Sequence, residues 1–199
     1  MRPFVISACV GLCVTASATA QSAPATEIAP ASEQVAAAVL PLPQEFRDSA
    51  TVLGYHAAGR LVTLREARGD FICLASDPRA DRFHVACYHR SLEPFMARGR
   101  ELRAQGTTGD QVDSVRFAEV KSGKLRMPAQ PASLYSLTGP RGSYDPATNS
   151  VTGAGHLFVV YIPGATSSST GLSARPQRGT PWIMFPGTPK AHIMFVPNM

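Results

Sequence analysis

Three histidines are the side chains best placed to do chemistry. His89 follows an apolar run, His156 opens another, and His192 begins the last one after a turn. Strand ends and their loops are where sites are usually built, and neutral imidazoles there bind zinc or copper. Met184 and Met194 add soft thioethers suited to copper. His84 is left out, because it lies an odd number of residues from His89 and one extended strand cannot point both to the same face. A histidine-based metal site at His89, His156 and His192 is therefore one functional reading. No pair among them has metal-ligand spacing, and none has an acidic partner nearby in sequence.

Nucleophilic chemistry has less to stand on. The run Ser167-Ser168-Ser169 sits in a Gly/Ser/Thr/Pro/Arg-rich stretch without periodicity, and no G-x-S-x-G, H-E-x-x-H, phosphate-loop or dinucleotide motif occurs. No catalytic residue and no cofactor is expected. A hydrolase without a recognised motif is kept only as an alternative.

The cysteines carry a different message. Residues 1–20 combine Arg2, a short apolar stretch from Phe4 to Val14 and the small-residue site Ala18-Thr19-Ala20, the pattern of a cleaved secretory signal peptide. The apolar stretch is too short for a transmembrane span. Cleavage before Gln21 would remove Cys9 and Cys13, leaving Cys73 and Cys87 as an even pair in an oxidising compartment, periplasmic or secreted. It would also remove Arg2, the only charged side chain of the leader, from a chain of net charge +5. The remaining basic residues form no block and have no interleaved aromatics, which argues against a nucleic-acid partner. The Ala, Arg, Gly and Pro bias points to a bacterial source.

The elements that must position these residues centre on 70–106. Phe71 to Ala75 and Phe83 to Tyr88 read as an antiparallel hairpin. With Cys73 opposite Cys87, Phe71 faces His89 and Ala75 faces Val85 on the cysteine side, while Ile72–Tyr88 and Leu74–Ala86 face the other way. Both faces are apolar, so the hairpin belongs inside a sheet. A disulfide there should stabilise the fold by roughly 3 kcal/mol. An amphipathic helix follows, with Ser91 as N-cap, Leu92, Phe95, Met96, Gly99 and Leu102 as its buried stripe, and Gly106 as its stop. Arg98, Arg100, Glu101 and Arg103 take its solvated side.

Around this centre, residues 21–30 have the composition of a flexible leader. Ser32 to Leu40 reads as a short helix capped by Ser32. Ala50 to Tyr55 and Arg60 to Arg65 form a hairpin, which should continue as an antiparallel meander into the cysteine hairpin. Residues 110–127 fit either a helix opened by an Asp110/Asp113 capping box or a hairpin. Strands are expected from Ala132 to Leu137 and from His156 to Ile162, the second of them central. Residues 164–180 read as a long loop, either a lid or a disordered excursion. Trp182 to Phe185 and Ala191 to Val196 close the chain as two strands.

The segments CYHRSLEPFMARGRELRAQG and PWIMFPGTPKAHIMF resemble uncharacterised exported bacterial proteins with no assigned activity. The resemblance implies an intact exported domain and no catalytic residues. Residues 31–199 are thus expected to form a single α+β domain, mainly an antiparallel sheet with one or two helices packed on a face. The expected function is non-catalytic binding of a small molecule, an envelope component or another protein, through the long loop and strand-end side chains.

Overall fold

The computed structural model describes residues 27–56, 60–177 and 179–197. The signal peptide and most of the leader expected from the sequence lie outside these residues. Eight strands form one sheet: β1 (Thr51–Tyr55), β2 (Leu61–Arg65), β3 (Phe71–Leu74), β4 (Arg82–His89), β5 (Ala132–Pro140), β8 (Gly155–Tyr161), β9 (Trp182–Met184) and β10 (His192–Phe195). A separate small hairpin pairs β6 (Tyr144–Asp145) with β7 (Ser150–Val151). The sheet order is β2-β1-β3-β4-β5-β8-β10-β9, antiparallel except where β1 and β3 run parallel. The fold is α+β and mostly antiparallel.

The cysteine hairpin has the register read from the sequence. Phe71 pairs with His89, Ile72 with Tyr88, Cys73 with Cys87 and Leu74 with Ala86. A disulfide joins Cys73 to Cys87. The hairpin lies inside the sheet and both of its faces are covered. On the cysteine side Phe71, Cys73, Ala75 and Cys87 pack with Ala38, Val39, Leu42, Ala50 and Val52. On the other side Ile72 and Tyr88 pack with Leu92, Val159 and Tyr161. Helices therefore flank both faces rather than one. Helix α1 (Ala31–Ala38) and the single turn α2 (Gln44–Arg47) lie over the cysteines, and α3 (Glu93–Ala104) lies over the opposite face with α4 (Asp110–Lys121) packed on it.

The meander expected from β1 to β4 is not what forms. After β2 the chain crosses back, and β3 adds to β1, pairing Thr51 with Ile72 and Val52 with Cys73. The cause is burial. Thr51, Val52 and Gly54 of β1 are buried, whereas β2 is half-exposed along its length, so β1 takes the interior position and β2 the edge. The crossover is held by Arg90, which donates to the carbonyl oxygens of Gly69 (2.9 Å) and Ala67 (3.0 Å) and to Thr51 Oγ1 (3.0 Å).

Helix ends also differ in detail. Ser91 falls in a 3-10 turn (Arg90–Leu92), where the His89 imidazole accepts from the Ser91 amide, so the histidine makes the cap assigned to the serine. Ser32 lies within the first turn of α1, after an uncapped Pro30. Residues 110–121 are helical, but Gly109 precedes them with no side-chain cap, so Asp110 and Asp113 form no capping box. A capping box is found instead at Thr166 and Ser169, around the one-turn helix α5 (Ser167–Thr170) that the serine run forms. Nor are the α3 arginines merely solvated. Arg98 pairs with Glu119 of α4 at 2.6 Å, and Arg100 binds Glu93 (2.7 Å) and the Tyr88 hydroxyl (2.8 Å).

Candidate binding cleft

The strand register places each histidine. Cys87 pairs with Tyr135 and Leu137 pairs with His156, so His89 and His156 share the cysteine face. His89 is nevertheless level with Ser133, four residues along β5 from Leu137, a separation of roughly 13 Å along the strands alone. His192 pairs with Tyr161, which follows the alternation to the opposite face. The three imidazoles therefore do not share a point. Among the described residues, no group of three or more His, Cys, Asp or Glu side chains could hold a metal ion.

Each histidine instead has a local packing role. His89 packs edge-on against Phe71 and His156 lies beside Phe158, with ring centroids 6.0 and 6.2 Å apart. His192 is buried between Tyr161 and Phe185, at 4.9 and 5.8 Å, with Nδ1 2.6 Å from the Lys190 carbonyl oxygen. Burial pulls its pKa below the usual histidine value, and the Lys190 ammonium acts in the same direction. His84 lies on the face opposite His89, with Nε2 3.0 Å from Ser136 Oγ.

A well-formed concavity lies elsewhere, between α1 and the ends of β4 and β5. It encloses about 420 Å³. Ala37, Ala75 and Phe83, all buried, make its floor. Ile28 and Ala29 make one wall, the turn Ser76–Ala80 a second, and Arg141 to Tyr144 the third.

Local sequence explains two of the walls. Gln34 on α1 donates from Nε2 to the carbonyl oxygens of Ala29 (2.8 Å) and Tyr55 (3.0 Å), and its Oε1 accepts from the Tyr55 amide at 2.8 Å. One buried amide thereby ties the end of the leader and α1 to the sheet. The third wall depends on Gly139: a Cβ there would meet Ser143 Oγ and Val151, so only glycine lets the β6–β7 hairpin fold back on β5. That fold-back stacks Tyr144 on Phe83, with ring centroids 6.0 Å apart and planes 9° from parallel.

The rim carries both signs of charge. Glu27 and Glu33 stand on the helix side, and Arg82 and Arg141 on the strand side. Asp77 is already satisfied, because Arg79 donates to its carboxylate from Nε (3.1 Å) and Nη2 (3.0 Å) and holds its pKa below the usual carboxylate value. Tyr144 is shifted up, first by burial and then by the nearby Glu33 and Asp145 carboxylates. Among the described residues, neither Arg82 nor Arg141 forms an ion pair with a carboxylate; Arg141 reaches only the Pro78 carbonyl, at 3.4 Å. Among the described residues, no histidine or cysteine lines the cleft. An apolar floor, stacked rings and unspent charges of both signs are the kind of lining that ligand sites use.

Sequence reasoning did not single out this cleft. Its lining comes from four separate stretches, 27–29, 33–37, 75–83 and 141–144, and no local pattern shows that Tyr144 packs back on Phe83. No protein-family model, no curated protein and no solved structure matches the chain.

Proposed function

We propose that this is an exported, non-catalytic binding domain that holds a small molecule in the cleft between α1 and the β4–β5 ends. The observation that carries this reading is the cleft itself: about 420 Å³ over an apolar floor, within the size range of ligand sites, with charged rim groups that the fold does not consume. Export rests on the signal-peptide pattern and agrees with the Cys73–Cys87 disulfide. No described residue of 164–180 lines the cleft, so this reading places the ligand contacts away from the long loop. That segment is tied to the far edge of the sheet, where the Ile183 amide donates to the Ser173 carbonyl at 2.9 Å.

The test is a thermal-shift screen of a small-molecule library on the mature protein, repeated on Ala29→Trp. Ala29 is exposed on the cleft wall, so tryptophan fills the opening without disturbing the core. Hits that stabilise the wild type and lose their effect in the variant support the reading. Hits that are indifferent to the substitution, or an absence of hits, defeat it.

A further inference from the structure

Resting on that reading, we infer that the ligand is a small zwitterion with an apolar body, the chemistry of an aromatic amino acid or a short apolar peptide with free ends. The argument is charge balance. Asp77 and Arg79 neutralise each other, which leaves Glu27 and Glu33 on the helix side against Arg82 and Arg141 on the strand side. An anion alone would meet two carboxylates as well as two guanidiniums, and a cation alone the reverse. A ligand carrying both charges satisfies both walls and leaves neither set of charges uncompensated.

The two guanidiniums come from adjacent positions. Arg82 opens β4 opposite Pro140, and Arg141 is the next residue along, so strand pairing brings both to one end of the cleft. Guanidinium forks match a carboxylate in shape and charge, whereas Glu33 on the facing helix suits an ammonium group. Between them lie Ala37, Ala75 and Phe83, which offer an apolar side chain a dry floor, with the Phe83–Tyr144 stack beside it. Burial raises the pKa of Tyr144, and the Glu33 carboxylate raises it further.

The experiment is calorimetric titration of the mature protein with L-phenylalanine and with the dipeptide Ala-Phe, each compared with its N-acetylated and C-amidated form. The free zwitterion should bind, and capping either end should weaken binding at least tenfold. In Arg141→Gln the penalty for amidation should disappear while the penalty for acetylation persists. Glu33→Gln should show the reverse. Both side chains are on the rim, so the variants should melt with the wild type. Preference for phenylalanine over Ala-Phe, or the reverse, identifies which of the two sources the cleft accommodates. Capped compounds that bind as well as free ones overturn the inference. If neither zwitterion binds while library hits remain sensitive to Ala29→Trp, the ligand class is wrong and the cleft reading survives. If nothing binds in either experiment, both fall.

Discussion

His192 illustrates what a buried polar side chain does when it is not a ligand. Its Nδ1 lies 2.6 Å from the Lys190 carbonyl oxygen, which makes that nitrogen the protonated one of a neutral ring. Taking up a second proton would place a cation in a buried site beside the Lys190 ammonium, and burial already lowers the pKa. With the folded pKa below the unfolded value, the unfolded chain binds protons more readily. The contribution of His192 is therefore complete above about pH 6.5 and declines as pH falls toward its folded pKa. Wild-type stability measured by urea unfolding should fall between pH 7.5 and 5.5, and His192→Phe should show a shallower fall. His84 is shifted in the same direction, by burial and then by Arg82, so part of the slope should persist in the variant. An unchanged slope in His192→Phe would show that His192 is not the source.

At the scale of elements, the joint between α3 and α4 depends on a residue without a side chain. Arg116 is buried, with its guanidinium 3.8 Å from the centre of the Phe95 ring, Nη1 3.1 Å from the Phe95 carbonyl oxygen, and an ion pair to Asp113. Asp113 also takes Lys190 of the last hairpin at 2.8 Å, so one carboxylate links α4 to the sheet. Gly99 makes room for this arrangement, since a Cβ there would lie 2.9 Å from Arg116 Nη1. On an exposed helix Gly→Ala gains about 1 kcal/mol. Here Gly99→Ala should lose stability, because the guanidinium must leave its partners. Arg116→Ala alone should cost about 3 kcal/mol, the penalty for breaking a buried pair. The coupling is the test: in an Arg116→Met background, Gly99→Ala should recover its stabilising sign, as measured by chemical denaturation. A stabilising Gly99→Ala in the wild type would refute the packing account.

Periodicity could not reveal that joint. The apolar spacing of 92–102 correctly assigns Phe95, Gly99 and Leu102 to the buried side of α3. It says nothing about an arginine filling the gap opposite Gly99, because Arg116 sits on α4 in a pattern that reads as polar. The 110–127 ambiguity has the same origin, since a helix that buries Val112 and Arg116 has no clean apolar stripe. The cysteine register was legible because pairing is local and side chains alternate. The β1–β3 adjacency was not, because it turns on which of two similar strands buries better once the sheet exists. The cleft was least legible of all, being assembled from turns and a helix edge that meet only in three dimensions.

At the scale of the whole molecule, the sheet has a seam. β1, β2 and β3 come from residues 51–74, and β4 pairs onward with β5, which begins the C-terminal group. The Cys73–Cys87 disulfide crosses that seam between β3 and β4, with both cysteines fully buried beneath α1. It closes a loop spanning 14 positions, for which chain-entropy arguments give about 3 kcal/mol. In a domain of this size that corresponds to roughly 6 to 12 °C in melting temperature. The double variant Cys73→Ala/Cys87→Ala should therefore melt lower by that interval, and the wild type should follow it once reduced under denaturing conditions and refolded with its thiols kept reduced. Hydrogen exchange then locates the effect. Amides of β1 and β3, on the far side of the seam, should lose more protection than those of β5 and β8, which keep antiparallel partners on both sides. Because α1 supplies the floor residue Ala37 and the rim residue Glu33, the same loosening should weaken ligand binding although no cleft residue has changed. Equal loss of protection on both sides of the seam would mean that the disulfide steadies the sheet as a whole rather than joining its two parts.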